Sequence, residues 1–121
     1  MKIHGRDVRF LRTVKGVNDI ASMCPGKNIE HIDAILQSDD TVQTQDVMAR
    51  MLVALSEGYE YAKTFEEEGY KPRPLTLNEV MYLDHETFRN LFMEAVEALK
   101  GNQQTVEIEP SKKNEMTTES N

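Results

Sequence analysis

The stretch from Asp40 to Gly69 carries the longest uninterrupted helical pattern in the chain, and it dictates what the remainder can pack against. Apolar residues fall at Val47, Met48, Met51, Leu52, Leu55, Tyr59, Ala62 and Phe65. From Met48 onward these steps keep one stripe on one face at about 3.6 residues per turn. The opposite face holds Gln45, Asp46, Arg50, Glu57, Glu60, Lys63 and the acids 66–68. Asp40 suits the N-cap, with Gln43 three residues on, and Gly69 sits just past the end. About 25 helical residues make a rod of roughly 37 Å, long enough to organise a small domain.

Elements before the rod are shorter. Residues 2–4 and 8–12 read as two strands around Gly5-Arg6-Asp7, a hairpin too small to stand without helices beneath it. Thr13 is the expected cap of a helix presenting Val14, Val17, Ile20, Ala21 and Cys24 on one face, stopped by Pro25-Gly26. Asn28 opens another, with Ile29, Ile32, Ile35 and Leu36 at helical spacing. Beyond the rod, Tyr70-Lys71-Pro72-Arg73-Pro74 reads as a stiff extended connector, since each proline disfavours helix at the residue before it. Thr76-Leu77-Asn78-Glu79 is a capping-box pattern opening a short helix through Tyr82. Asp84 starts the last helix, with Phe88, Leu91, Phe92, Ala95, Val96 and Leu99 as its apolar stripe. Residues 105–109 alternate, with Val106 and Ile108 on one side, and are a candidate third strand for the hairpin. The expected fold is therefore α+β, predominantly α: one domain over residues 1–109, four to five helices with an N-terminal hairpin. Residues 110–121, almost devoid of apolar side chains, are expected to form a disordered tail.

Composition narrows the function classes. One cysteine leaves no internal disulfide, no CxxC pair marks zinc or redox chemistry, and the reading is a cytoplasmic protein. No apolar run approaches the ~18 residues of a membrane span. Charge is uneven: residues 1–15 hold five cations against Asp7, a net of +4, while residues 38–70 hold eight acids against Arg50 and Lys63, a net of −6. The basic head can face the acidic helix, in this chain or a neighbouring copy. An overall −7 disfavours a nucleic-acid partner, because phosphate binding needs a clustered positive surface. Read as a helix-turn-helix, the second helix would bring Glu30 and Asp33 against phosphates.

No catalytic motif is present. His4, His31 and His85 lie in separate elements without metal-ligand spacing. Cys24 sits on an apolar helix face with no local base to activate it. Acid pairs at Asp39/Asp40 and among residues 66–68 fall at helix ends, where carboxylates are ordinarily solvated. The expectation is a non-enzymatic chain with no cofactor and no metal. Tyrosine and methionine near an apolar helix edge can act as partly exposed anchors, which selects Tyr59, Met81, Tyr82 and Met93 as candidate partner contacts.

A resemblance gives this a direction. The basic opening Val8-Arg9-Phe10-Leu11-Arg12-Thr13-Val14, then Ile20-Ala21-Ser22-Met23-Cys24-Pro25-Gly26, the acidic central helix, residues 88–100, and Thr105-Val106-Glu107-Ile108-Glu109 before a lysine pair together resemble the tail assembly chaperones of long-tailed bacteriophages and prophages. The likeness spans nearly the whole chain. It implies a protein of the host bacterial cytoplasm that binds and solubilises the tape measure protein and helps tail tube protein polymerise around it. Such a protein is absent from the finished virion and is expected to self-associate as a homo-oligomer. Members are often made in two lengths by frameshifting, the longer form meeting the tail tube. Lys112, Lys113 and Asn114 can be encoded as AAA AAA AAC, which contains a slippery heptamer. The rival reading is a small phage-encoded regulatory or adaptor protein with a different protein partner.

Overall fold

The computed structural model describes residues 2–100. Its hub is the long helix α3 (Thr41–Glu66), and four other helices lean on it. In chain order these are α1 (Val14–Ala21), α2 (Ile32–Leu36), α4 (Leu77–Met81) and α5 (His85–Leu99). A two-stranded antiparallel hairpin, β1 (Lys2–Ile3) and β2 (Arg6–Asp7), covers the N-terminal end of the chain, and two short 3₁₀ turns, Pro25–Lys27 and Ile29–His31, link α1 to α2. The architecture is α+β and predominantly α, as the sequence pattern predicts.

Local chemistry explains most helix boundaries. Asp40 accepts from the Gln43 amide at 3.1 Å, satisfying one of the orphan donors at the start of α3. Thr76 and Glu79 form the reciprocal capping box of α4, and Asp84 caps α5 through the Thr87 amide. Thr13 caps α1 by accepting from the Gly16 amide at 3.0 Å, and Asn28 accepts from the Glu30 amide. The core gathers around α3: Met51, Leu52 and Leu55 meet Ile20, Leu75, Val80, Leu91 and Ala95, with Ile3 and Val8 closing the hairpin side.

Five particulars differ from the sequence reading. The hairpin is tighter: His4 (φ 51) and Gly5 (φ 82) make a two-residue turn, pairing Ile3 with Arg6 and leaving residues 8–12 outside any ladder among the described residues. Both turn residues lie in the left-handed region, the backbone that a type I′ hairpin turn uses. Val14 is 82 % exposed, because α1 meets α3 through Gly16 and Ile20, and two positions from Gly16 is about 200° around the helix. Glu60, placed by periodicity on the wet face, is only 8 % exposed. Phe65, placed on the buried stripe, is 91 % exposed, at the end of α3 beyond the reach of the core. The helix expected from Asn28 begins as the 3₁₀ turn Ile29–His31 before settling into α2. The candidate third strand at residues 105–109, the tail at 110–121 and the residues Lys112, Lys113 and Asn114 lie outside the described residues.

Candidate functional site

The feature that positions the site is a close crossing of α1 over α3. Gly58 on α3 lies so near the incoming chain that an added Cβ would fall 2.5 Å from the Leu11 carbonyl oxygen. At Gly16 on α1 the same addition would come within 3.5 Å of the Ala54 carbonyl. With no side chain at Gly58, the Leu11 amide reaches the Leu55 carbonyl of the helix at 3.1 Å. Arg12 then donates to the Leu99 carbonyl, placing a cation at the negative end of α5. The segment leading into α1 is thereby sewn to two helices.

The crossing leaves an open apolar groove of about 580 Å³ between α1 and the C-terminal half of α3. Gly16, Ala54, Gly58 and Ala62 form its floor, and Tyr61 and Phe65 stand beside it, both exposed. Lys15, Asp19 and Glu57 line it as well. Lys15 Nζ is 2.8 Å from Asp19 and 3.9 Å from Glu57, and the hydrogen bond to Asp19 raises the pKa of the ammonium. The basic head thus reaches the acidic rod at Lys15, while Arg9 pairs with Asp7 at 2.9 Å and Arg6 turns elsewhere.

Arg6 and Glu60 hold the opposite side. The Glu60 carboxylate accepts from the Tyr70 hydroxyl at 2.7 Å and from the Arg73 amide at 2.8 Å. One turn earlier, the Ser56 hydroxyl accepts from the buried Leu75 amide at 2.8 Å. Ser56 and Glu60 therefore pin the 70–75 connector onto α3. The hydrogen bond to Glu60 pushes the Tyr70 hydroxyl up to about 12. Arg6 donates to the Arg73 and Pro74 carbonyls and to Glu79 at 2.9 Å, so one guanidinium joins the hairpin, the connector and the α4 cap.

The contacts selected from sequence are dispersed. Tyr59 is half-buried, with the Lys63 ammonium 5.6 Å from its ring centre, and it lines a shallow groove with Arg9, Phe10, Glu94 and Glu97. Met81 lines a different hollow with Gln45, Leu83, His85 and Phe88. Tyr82 (80 % exposed) and Met93, also exposed, line neither. Sequence reasoning missed Tyr61 and misassigned Phe65; the recoverable signal was a large aromatic at the end of a rod with no apolar element of matching length to cover it.

The titratable groups are likewise scattered. His4 lies 3.8 Å from Glu79, and His31 Nδ1 is 2.9 Å from the Pro25 carbonyl. Among the described residues no group of three or more His, Cys, Asp or Glu side chains is arranged to hold a metal ion. Cys24 is buried with its thiol donating to the Ile20 carbonyl at 3.4 Å, and burial raises its pKa, the reverse of nucleophile activation. No described helix is long and apolar enough to cross a membrane. No family model, curated protein or solved structure matches the chain.

Proposed function

We propose that the chain is a non-enzymatic assembly chaperone that covers apolar helical surface on another protein, of the kind that serves bacteriophage tails. Its partner in this reading is the tape measure protein, a long helical rod whose apolar faces would otherwise associate with one another. A small acidic helical body both masks such a face and adds the charge that keeps the complex dispersed. The observation that carries the proposal is the α1/α3 groove: a small-residue floor with Tyr61 and Phe65 held out beside it on an acidic body. An amphipathic helix docked there would bury the two aromatics, each contributing about 1.5–3 kcal/mol if fully removed from water.

The wider reading follows from the resemblance. Several copies act along one rod as a homo-oligomer in the host bacterial cytoplasm. A longer frameshifted form meets tail tube protein, and neither form enters the virion. The nucleotide sequence tests the frameshift directly, since an AAG codon at Lys112 or Lys113 removes the slippery heptamer.

Co-expression tests the central claim. A tape measure fragment that is insoluble alone is expected to become soluble and co-purify with this chain. Replacing Tyr61 and Phe65 by Ser abolishes that rescue, whereas replacing Tyr82 and Met93 by Ser leaves it intact. A tape measure fragment as insoluble with the chain as without it overturns the reading; loss in the second pair alone moves the contact to the surface formed by Tyr82 and Met93.

A further inference from the structure

The inference drawn from the charges around the α1/α3 groove rests on reading the chain as a helix-binding chaperone. We propose that the groove accepts an amphipathic helix whose apolar stripe is flanked by lysine or arginine.

The groove has one cation in its lining, Lys15, and that ammonium is already engaged by Asp19 and Glu57, the two acids that share the lining. The lining is therefore net negative. Immediately beyond Phe65 come Glu66, Glu67 and Glu68, all exposed, at the C-terminal end of α3. The unsatisfied carbonyls of a helix C-terminus add partial negative charge at that same end. A visiting helix that seats its apolar stripe over Tyr61 and Phe65 brings its flanks against these acids. Basic flanks gain attraction and a faster encounter; acidic flanks place like charges together, a repulsion that discriminates partners more sharply than the apolar contact itself. The small floor residues contribute closeness of approach, and the charged rim contributes choice.

The test uses the full chain and two synthetic helical peptides with the same leucine stripe, one with lysine and one with glutamate on its polar face. Binding is read by fluorescence anisotropy at low and high salt. The lysine peptide is expected to bind, more weakly as salt rises, and the glutamate peptide at least tenfold more weakly than it. Phe65→Ser is expected to lower affinity for the lysine peptide by about tenfold with no change in melting temperature, because Phe65 contacts little of its own fold. Equal binding of the two peptides overturns the proposal. So does lysine-peptide binding indifferent to Phe65→Ser, which marks diffuse attraction to an acidic protein. A chain that dimerises by itself and becomes monomeric on Phe65→Ser also overturns it, since a second copy is then the occupant. Discrimination between the peptides without rescue of a tape measure fragment leaves this inference standing and removes the phage reading; rescue without discrimination does the opposite.

Discussion

Glu60 holds the connector after α3 in place through two hydrogen bonds, from the Tyr70 hydroxyl and the Arg73 amide. Its carboxylate faces donors that arrive from ten and thirteen residues downstream, so nothing in its own helix announces them. Removing it leaves the Arg73 amide and the Tyr70 hydroxyl without their acceptor, and hydrogen bonds to a charged group contribute about 1.5–3 kcal/mol each. Glu60→Ala is expected to lose about 2–3 kcal/mol of stability by urea unfolding, the partly solvated hydroxyl recovering some of its loss from water. Glu60→Gln keeps an acceptor oxygen and is expected to lose about half as much. Equal effects of the two would mean that packing of the connector, rather than the carboxylate, sets the stability.

At the scale of elements, the α1/α3 crossing offers a contrast between two glycines. Gly58→Ala gains about 1 kcal/mol of helix propensity, yet it drives a methyl into a backbone carbonyl held in place by the Leu11–Leu55 hydrogen bond. Overpacking against an immobile group costs about 1–3 kcal/mol, and the strain wins. Gly16→Ala meets the Thr13 hydroxyl at 3.2 Å and the Ala54 carbonyl at 3.5 Å, so its strain and its propensity gain nearly cancel. Thermal melts of the two variants are expected to show a clear fall for the first and little change for the second. The helices themselves were legible because their signals are local: Asp40, Thr76 with Glu79, and Asp84 each cap the helix the sequence assigns them. Periodicity also showed which residues of α3 share a face. It could not show how far along the rod its neighbours extend, which is why Phe65 was expected inside. The hairpin is present, but its second strand was set too late for a related reason: the alternation at residues 8–12 reflects Val8 and Phe10 packing on the core, with no strand opposite among the described residues.

For the molecule as a whole, the ties among hairpin, connector and helix caps are ionic or hydrogen-bonded to ionised groups, and pH addresses them together. Part-burial raises the pKa of Glu79, but hydrogen bonds from the Thr76 amide and Arg6 outweigh it and hold the carboxyl below its ordinary value. The Thr87 hydroxyl and amide do the same for Asp84. A carboxyl depressed in the folded state stabilises above its unfolded pKa and loses that contribution as pH falls through the folded one. Tyr70 runs the other way: raised to about 12, it contributes below about 10 and loses the contribution between those values. Melting temperature is expected to hold near neutrality and to drop below about pH 4 and again above about pH 10. Glu79→Gln flattens the acid limb, and Tyr70→Phe flattens the alkaline one. The outward aromatic at the end of the rod has a practical corollary. The chain contains no tryptophan, so an indole installed at position 65 would be its lone emitter of that kind, red in water and shifting blue the moment another molecule settles over it.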